Sequence, residues 1–123
     1  MQTREQEYAL KAFNDVSAMK SLSEDKRDKY GSMAHKLPVL IRTAGLAQAL
    51  AFVEARGTDE QKELLKQLAT ATGHTKLAQD SRTLQLGEYM RLTQQVLAAL
   101  DWYKRFAQSV LDVKPGAATE GTP

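Results

Sequence analysis

Apolar residues recur along this chain at helical spacing. Between Arg4 and Ser21, the positions Tyr8, Ala9, Ala12, Phe13, Val16 and Met19 fall on one arc of a 3.6-residue wheel and predict a first helix. The segment "SLSEDKRDK" then links to a new start. Ser23 suits an N-cap, and Glu24 and Asp25 suit the positive N-terminal end of a second helix. That helix carries Tyr30, Met33, Ala34, Leu37, Leu40, Ile41 and Ala44, and the stripe keeps its phase through Pro38. Pro38 therefore reads as a kink in one continuous helix or as the first turn of a helix set close behind it. After Gly45 the apolar positions Leu46, Leu50 and Val53 point roughly the opposite way, so the axis must turn there. A third helix is expected to end at Arg56 and Gly57, with Gly57 as its C′ residue.

"TDEQ", Thr58 to Gln61, is a capping box that opens a fourth helix through Leu64, Leu65, Leu68 and Ala69 to about Thr72, closed by Gly73. His74 to Gln85 is polar and reads as a loop with one short helical turn. The last helix, about Leu86 to Asp112, is the longest, with Tyr89, Leu92, Val96, Leu100, Tyr103, Ala107 and Val110 as its main stripe. "KPGAATEGTP" reads as a solvated tail. The pattern predicts an all-α, single-domain bundle of five or six helices over residues 1–113, followed by a disordered tail over 114–123.

Composition adds little to that fold but narrows the function. The 123 residues suffice for one hydrophobic core. With no cysteine, disulfide frameworks and thiolate metal sites are excluded. "MQTREQEYALK" has no apolar h-region, so no signal peptide is expected, and no run approaches the ~18 apolar residues of a membrane span. A cytoplasmic location is expected, with no membrane partner. The net charge of +2, from 17 basic and 15 acidic residues, is too small to imply a free-standing polyanion binder. If nucleic acid is involved, the positive charge is concentrated locally or supplied mostly by other subunits.

Signals of catalysis are nearly absent. The two histidines, His35 and His74, have no partner at metal-ligand spacing, and no dinucleotide fingerprint, P-loop, HExxH or GxSxG motif occurs. Glu54, Asp59 and Glu60, and likewise Glu24, Asp25 and Asp28, are explained by helix ends. No enzyme activity, metal or cofactor is expected.

The last helix offers a binding feature instead. Gln95, Ala98, Trp102, Arg105 and Ser109 all lie within roughly 40° of Arg91 on the wheel, opposite the main apolar stripe. A tryptophan flanked by Arg91 and Arg105 on a polar face suits an interaction hot spot or a base-stacking platform. The plainer alternative is a helix buried on two sides, since tryptophan is usually mostly buried. On the second helix, His35 and Arg42 share one line and Lys29 and Lys36 another, seven residues apart in each case. Both lines lie off the apolar stripe, giving a basic flank that suits phosphate contact or, more plainly, a solvated face.

The segment "KYGSMAHKLPVLIRTAGLAQALAFV" resembles the signature of the small all-α subunit of type III-B CRISPR effector complexes, the Cmr complexes. In that family an "LP-x-L-I" segment leads into "GL-x-Q-x-L-A-F". The matching residues are Leu37, Pro38, Leu40, Ile41, Gly45, Leu46, Gln48, Leu50, Ala51 and Phe52. "YMRLTQQVLAALDWYKRFAQSVL" is similar to the family's final helix through Tyr89, Leu92, Thr93, Trp102, Lys104, Arg105, Phe106 and Ala107. Thr58 to Gly87 carries no element of the likeness.

The resemblance implies a non-catalytic subunit of a guide-RNA–protein particle in antiviral defence. Copies stack beside the repeated backbone subunits and line the groove where target RNA pairs with the guide. Cleavage belongs to the backbone subunits and nucleotide chemistry to the large subunit. The implied partners are those subunits, further copies of this chain, guide RNA and target RNA. Base pairing would read the sequence, leaving the protein to hold the backbone. Lys29, Lys36, Arg42, Lys104 and Arg105 form the expected RNA-binding set, and Arg91 and Trp102 the expected subunit interface. The competing expectation from another class is a free-standing helical adaptor that binds a protein through the Trp102 face.

Overall fold

A computed structural model describes residues 1–116, and most of the tail expected to be disordered, 117–123, lies outside the described residues. The elements are α1 (Arg4–Ala18), a 3-10 turn (Met19–Ser21), α2 (Glu24–Ala44), α3 (Leu46–Arg56), α4 (Asp59–Ala71), α5 (Leu77–Thr83) and α6 (Leu86–Ser109). No strand occurs among the described residues. The bundle is all-α, as the periodicity predicts.

Local side-chain caps fix three of the six α-helix starts among the described residues. Thr3 and Gln6 form a capping box at α1, as Thr58 and Gln61 do at α4, each pair satisfying two backbone N–H groups that the helix leaves without partners. Ser23 caps α2 by accepting from the Lys26 N–H. The segment expected to be irregular, His74 to Gln85, holds the seven-residue α5. It is longer than the single helical turn expected there: two buried residues, Leu77 and Ser81, anchor it, too few to make a periodic signal.

α2 runs unbroken through Pro38, so the helix is continuous there and no new helix starts at the proline. The proline removes the N–H that would bond the Ala34 carbonyl, yet its ring is buried. Packing thus offsets the lost bond. Gly45 is where the chain turns: it ends α2 and begins α3 with φ of 90°, a conformation that suits glycine. Gly45 has no side chain to cap α3, and the Tyr89 hydroxyl does so instead by accepting from the Ala47 N–H at 3.1 Å. Gly57 closes α3 with φ of −72°, not the left-handed turn expected of a C′ glycine. Closeness selects glycine here: a Cβ would lie 2.5 Å from the Val53 carbonyl oxygen.

α6 is the central strut. α1 lies along it in the same sense, with Tyr8 beside Ala98 and Asp15 beside Tyr103. α2 runs antiparallel to it, with Gly45 beside Tyr89 at one end and Gly31 beside Val113 at the other. The core between them is built from Ala12, Val16, Leu37, Leu64, Leu68, Leu92, Val96, Leu100 and Ala107, all fully buried. Each large aliphatic side chain buried this way contributes about 1.5–3 kcal/mol.

Two buried tyrosines carry polar bonds into that core. The Tyr30 hydroxyl donates to Gln67 Oε1 at 2.6 Å, and the Tyr103 hydroxyl donates to Asp15 Oδ2 at 2.6 Å. Lys11 Nζ pairs with the same Asp15 oxygen at 2.7 Å. Burial, and then the Asp15 carboxylate, push both phenols well above the usual tyrosine range.

Candidate nucleic-acid interface

The cations expected to form one basic flank are split by the fold. His35 leaves the flank altogether. It is buried, and its Nε2 lies 2.9 Å from the Val113 carbonyl oxygen. A carbonyl only accepts, so that nitrogen carries the proton. Arg42, two turns further along the same line of α2, is therefore placed on the side nearer α6, and it is exposed. Lys36 is on a different face, toward α3, with its ammonium 5.5 Å from the centre of the Phe52 ring. Lys29 shares that line and is paired with Asp25 at 3.5 Å.

On α6, Arg105 is bonded to Asp101 at 3.2 Å and lies 5.6 Å from the Trp102 ring. Lys104 is half-buried and, among the described residues, has no ion pair. Lys36 and Arg42 have none either. The expected RNA-binding set thus divides into cations already held by carboxylates, Lys29 and Arg105, and cations whose charge is uncommitted, Lys36, Arg42 and Lys104.

Trp102 shows how the two readings of its face combine. It points away from the main stripe but against α1. Its indole N–H donates to Glu5 Oε1 at 2.7 Å, and its ring stacks on Phe106 at 5.9 Å. Phe106 in turn meets Phe13 edge-on at 5.4 Å. The helix is covered on two sides, and Trp102 is half-buried as a result. Arg91 borders a shallow groove between α1 and α6, lined also by Arg4, Glu5, Tyr8 and Gln95.

A second depression went unnoticed in the sequence. Met33, Lys36, Phe52, Arg56, Gly57, Thr58 and Gln61 line a cleft of about 410 Å³ where α2, α3 and the start of α4 meet. The residues come from three helices, so no single wheel shows them together. The visible signal was Phe52, a large aromatic out of phase with Leu46, Leu50 and Val53. Elsewhere, His74 Nδ1 lies 2.8 Å from Asp80 Oδ2, and Arg82 pairs with Glu54 at 3.7 Å. These contacts tie α5 to its neighbours. Among the described residues no group of three His, Asp or Glu side chains converges as a metal site. No helix among them is long and apolar enough to cross a membrane.

The family model for CRISPR-associated proteins of the Cas_Cmr5 type matches residues 4–110, helix α1 through the end of α6. The chain belongs to that family. A curated relative, the CRISPR system Cmr subunit Cmr5 of Thermus thermophilus, is 45% identical over 115 residues, which span 91% of this chain and 99% of the relative. The X-ray crystal structure of a CRISPR-associated Cmr5 family protein from Thermus thermophilus superposes with a TM-score of 0.84 at 46% identity, covering 90% of this chain and 99% of that one. The match runs through Thr58 to Gly87, where the motifs alone showed no likeness. This Cmr5 family chain is therefore a small all-α subunit of the type III-B Cmr system, and the other Cmr subunits are its partners.

Proposed function

We propose that this chain is a non-catalytic subunit that stacks in several copies along the Cmr particle and helps hold target RNA against the guide. The observation that carries this reading is the uncommitted charge: Lys36, Arg42 and Lys104 stand on well-packed helices with no carboxylate in ion-pairing range among the described residues. Cations on helices and without a carboxylate partner suit phosphate contact, which positions a strand without reading its sequence. Lys29 and Arg105 join the set at a cost, because an incoming phosphate must compete with Asp25 and Asp101. The groove beside Arg91 and the outer part of Trp102 meet the neighbouring copy.

A free-standing adaptor gains no support from the geometry, because the Trp102 N–H is already bonded to Glu5 and its ring is already stacked. The test is target-RNA binding by a reconstituted particle carrying K36E, R42E and K104E together, followed across salt concentration. At least a tenfold loss is expected, with a shallower salt dependence, because each lost phosphate contact releases fewer counterions. Unchanged affinity and slope would remove RNA contact from this subunit's role.

A further inference from the structure

The cleft between α2, α3 and α4 has a wall, a floor and a rim of different chemistry. Phe52 is the wall, a phenyl ring left 37% exposed on a helix whose other large apolar residues are buried. Met33 and Gln61 are the floor, both almost fully buried. Gln61 is held by its own bonds: its Oε1 accepts from the Thr58 N–H and its Nε2 donates to the Lys29 carbonyl. Lys36 and Arg56 are the rim, and neither has an ion pair among the described residues. Most Lys and Arg side chains among the described residues have no ion pair, Lys11, Lys29, Arg82 and Arg105 being those that pair with a carboxylate; what sets Lys36 and Arg56 apart is the exposed aromatic ring they flank.

We infer that this cleft takes an unpaired nucleotide of an RNA strand, with the base stacked on Phe52 and the adjoining phosphates on Lys36 and Arg56. This rests on the reading that the subunit contacts RNA. The volume of about 410 Å³ lies within the range of small-ligand sites, roughly 300–1,000 Å³. An aromatic face with cations beside it is the arrangement by which proteins hold single-stranded nucleic acid without regard to sequence. Lys36 supplies the trigger. Its ammonium rests over the Phe52 ring, a weak contact that a phosphate oxygen outcompetes, so swinging to the phosphate frees the ring face for the base. Met33 adapts to whichever base enters, being unbranched and polarizable. Nothing in the lining is arranged to read a base edge, so occupancy depends on the nucleotide being unpaired.

The test uses the reconstituted particle with target RNA carrying 4-thiouridine at one position at a time, some opposite a guide base and some left unpaired by a guide mismatch. Photocrosslinks to residues 46–61 are expected from unpaired positions only. F52A should reduce them about tenfold, F52W should retain them, and R56E should make them more sensitive to salt. Phe52 is exposed enough that the fold should tolerate its loss, and equal thermal melts of both Phe52 variants check this. Crosslinks confined to the surroundings of Arg42 or Lys104 and indifferent to F52A would overturn the cleft while leaving RNA contact standing. Crosslinks to 46–61 from paired positions equally would overturn the requirement for an unpaired base. No crosslink to this chain at any position would overturn both.

Discussion

His35 and Lys36 are neighbours in sequence and end on different faces of α2, about 100° apart, one against Val113 and the other beside Phe52. The His35 side is sealed: the chain leaves α6, turns at Asp112 with φ of 59°, and lays Val113 over Gly31 under the imidazole. The Lys36 side is open, with an exposed ring, a cleft and two cations that have no ion pair among the described residues. One helix thus serves as a core element and as a surface element. What separates the two sides is which neighbouring segment lies close enough to cover them, the 110–113 segment on one side and none among the described residues on the other. The difference teaches that basic residues sharing a helix are not one site until the neighbours are known.

The sealed side breaks most sharply at Gly31. A Cβ there would lie 2.5 Å from Val113, so G31A should push the 110–113 segment off α2. The expected cost is about 1–3 kcal/mol, partly offset by the roughly 1 kcal/mol that alanine gains over glycine in a helix. Thermal unfolding checks this, and the G31A/V113A pair should recover part of the loss. A G31A protein as stable as its parent would show that the tail is not packed there.

Alkaline unfolding sharpens the same contrast between interior and surface. Tyr30 and Tyr103 have folded-state pKa values above the ordinary 10.0, so the unfolded chain holds fewer protons than the folded one above pH 10. Their contribution is fully present below about pH 10 and is lost as pH rises further, at about 1.4 kcal/mol per pH unit for each tyrosine. Denaturant titrations at several pH values should show that slope, and Y103F should remove about half of it. A slope unaffected by Y103F would mean that the phenol is not held neutral by burial beside Asp15.

Trp102 lies between the two extremes. W102F keeps the stack on Phe106 and loses the bond to Glu5, so a destabilisation of about 1 kcal/mol is expected. A loss beyond about 3 kcal/mol would place Trp102 in the core. The smallest effect on stability belongs to the open side. K36E and R56E should each shift unfolding by no more than about 0.5 kcal/mol, whatever they do to RNA. A larger shift would mean that the cleft is a packing feature.

The helices other than α5 were legible because each satisfies a local rule. The capping residues Thr58 and Gln61, the stripe from Tyr30 to Ile41 and the turn at Gly45 follow from spacing and backbone preference alone. α5 is expected from sequence only as one short helical turn, because two buried residues make no period. Of the interface, sequence supplied the cations but not their grouping. Arg42 and Lys104 were found as charges and located only by packing, while His35 was assigned to a flank it does not occupy. Arg56 and Phe52, which share the cleft with Lys36, went unmarked as site residues because they sit on a different helix.

The sequence by itself determined the all-α class, most of the helix boundaries, the direction change at Gly45 and, through two short motifs, the family. These depend on interactions within a few residues, so they are written in linear order. Only the tertiary structure decided that the Tyr89 hydroxyl caps α3, that Val113 returns to cover His35, that Trp102 is spent on Glu5, and that Lys36 and Arg56 flank one cleft. Each of these joins residues from separate elements of the chain, and whether they meet is set by how whole helices pack.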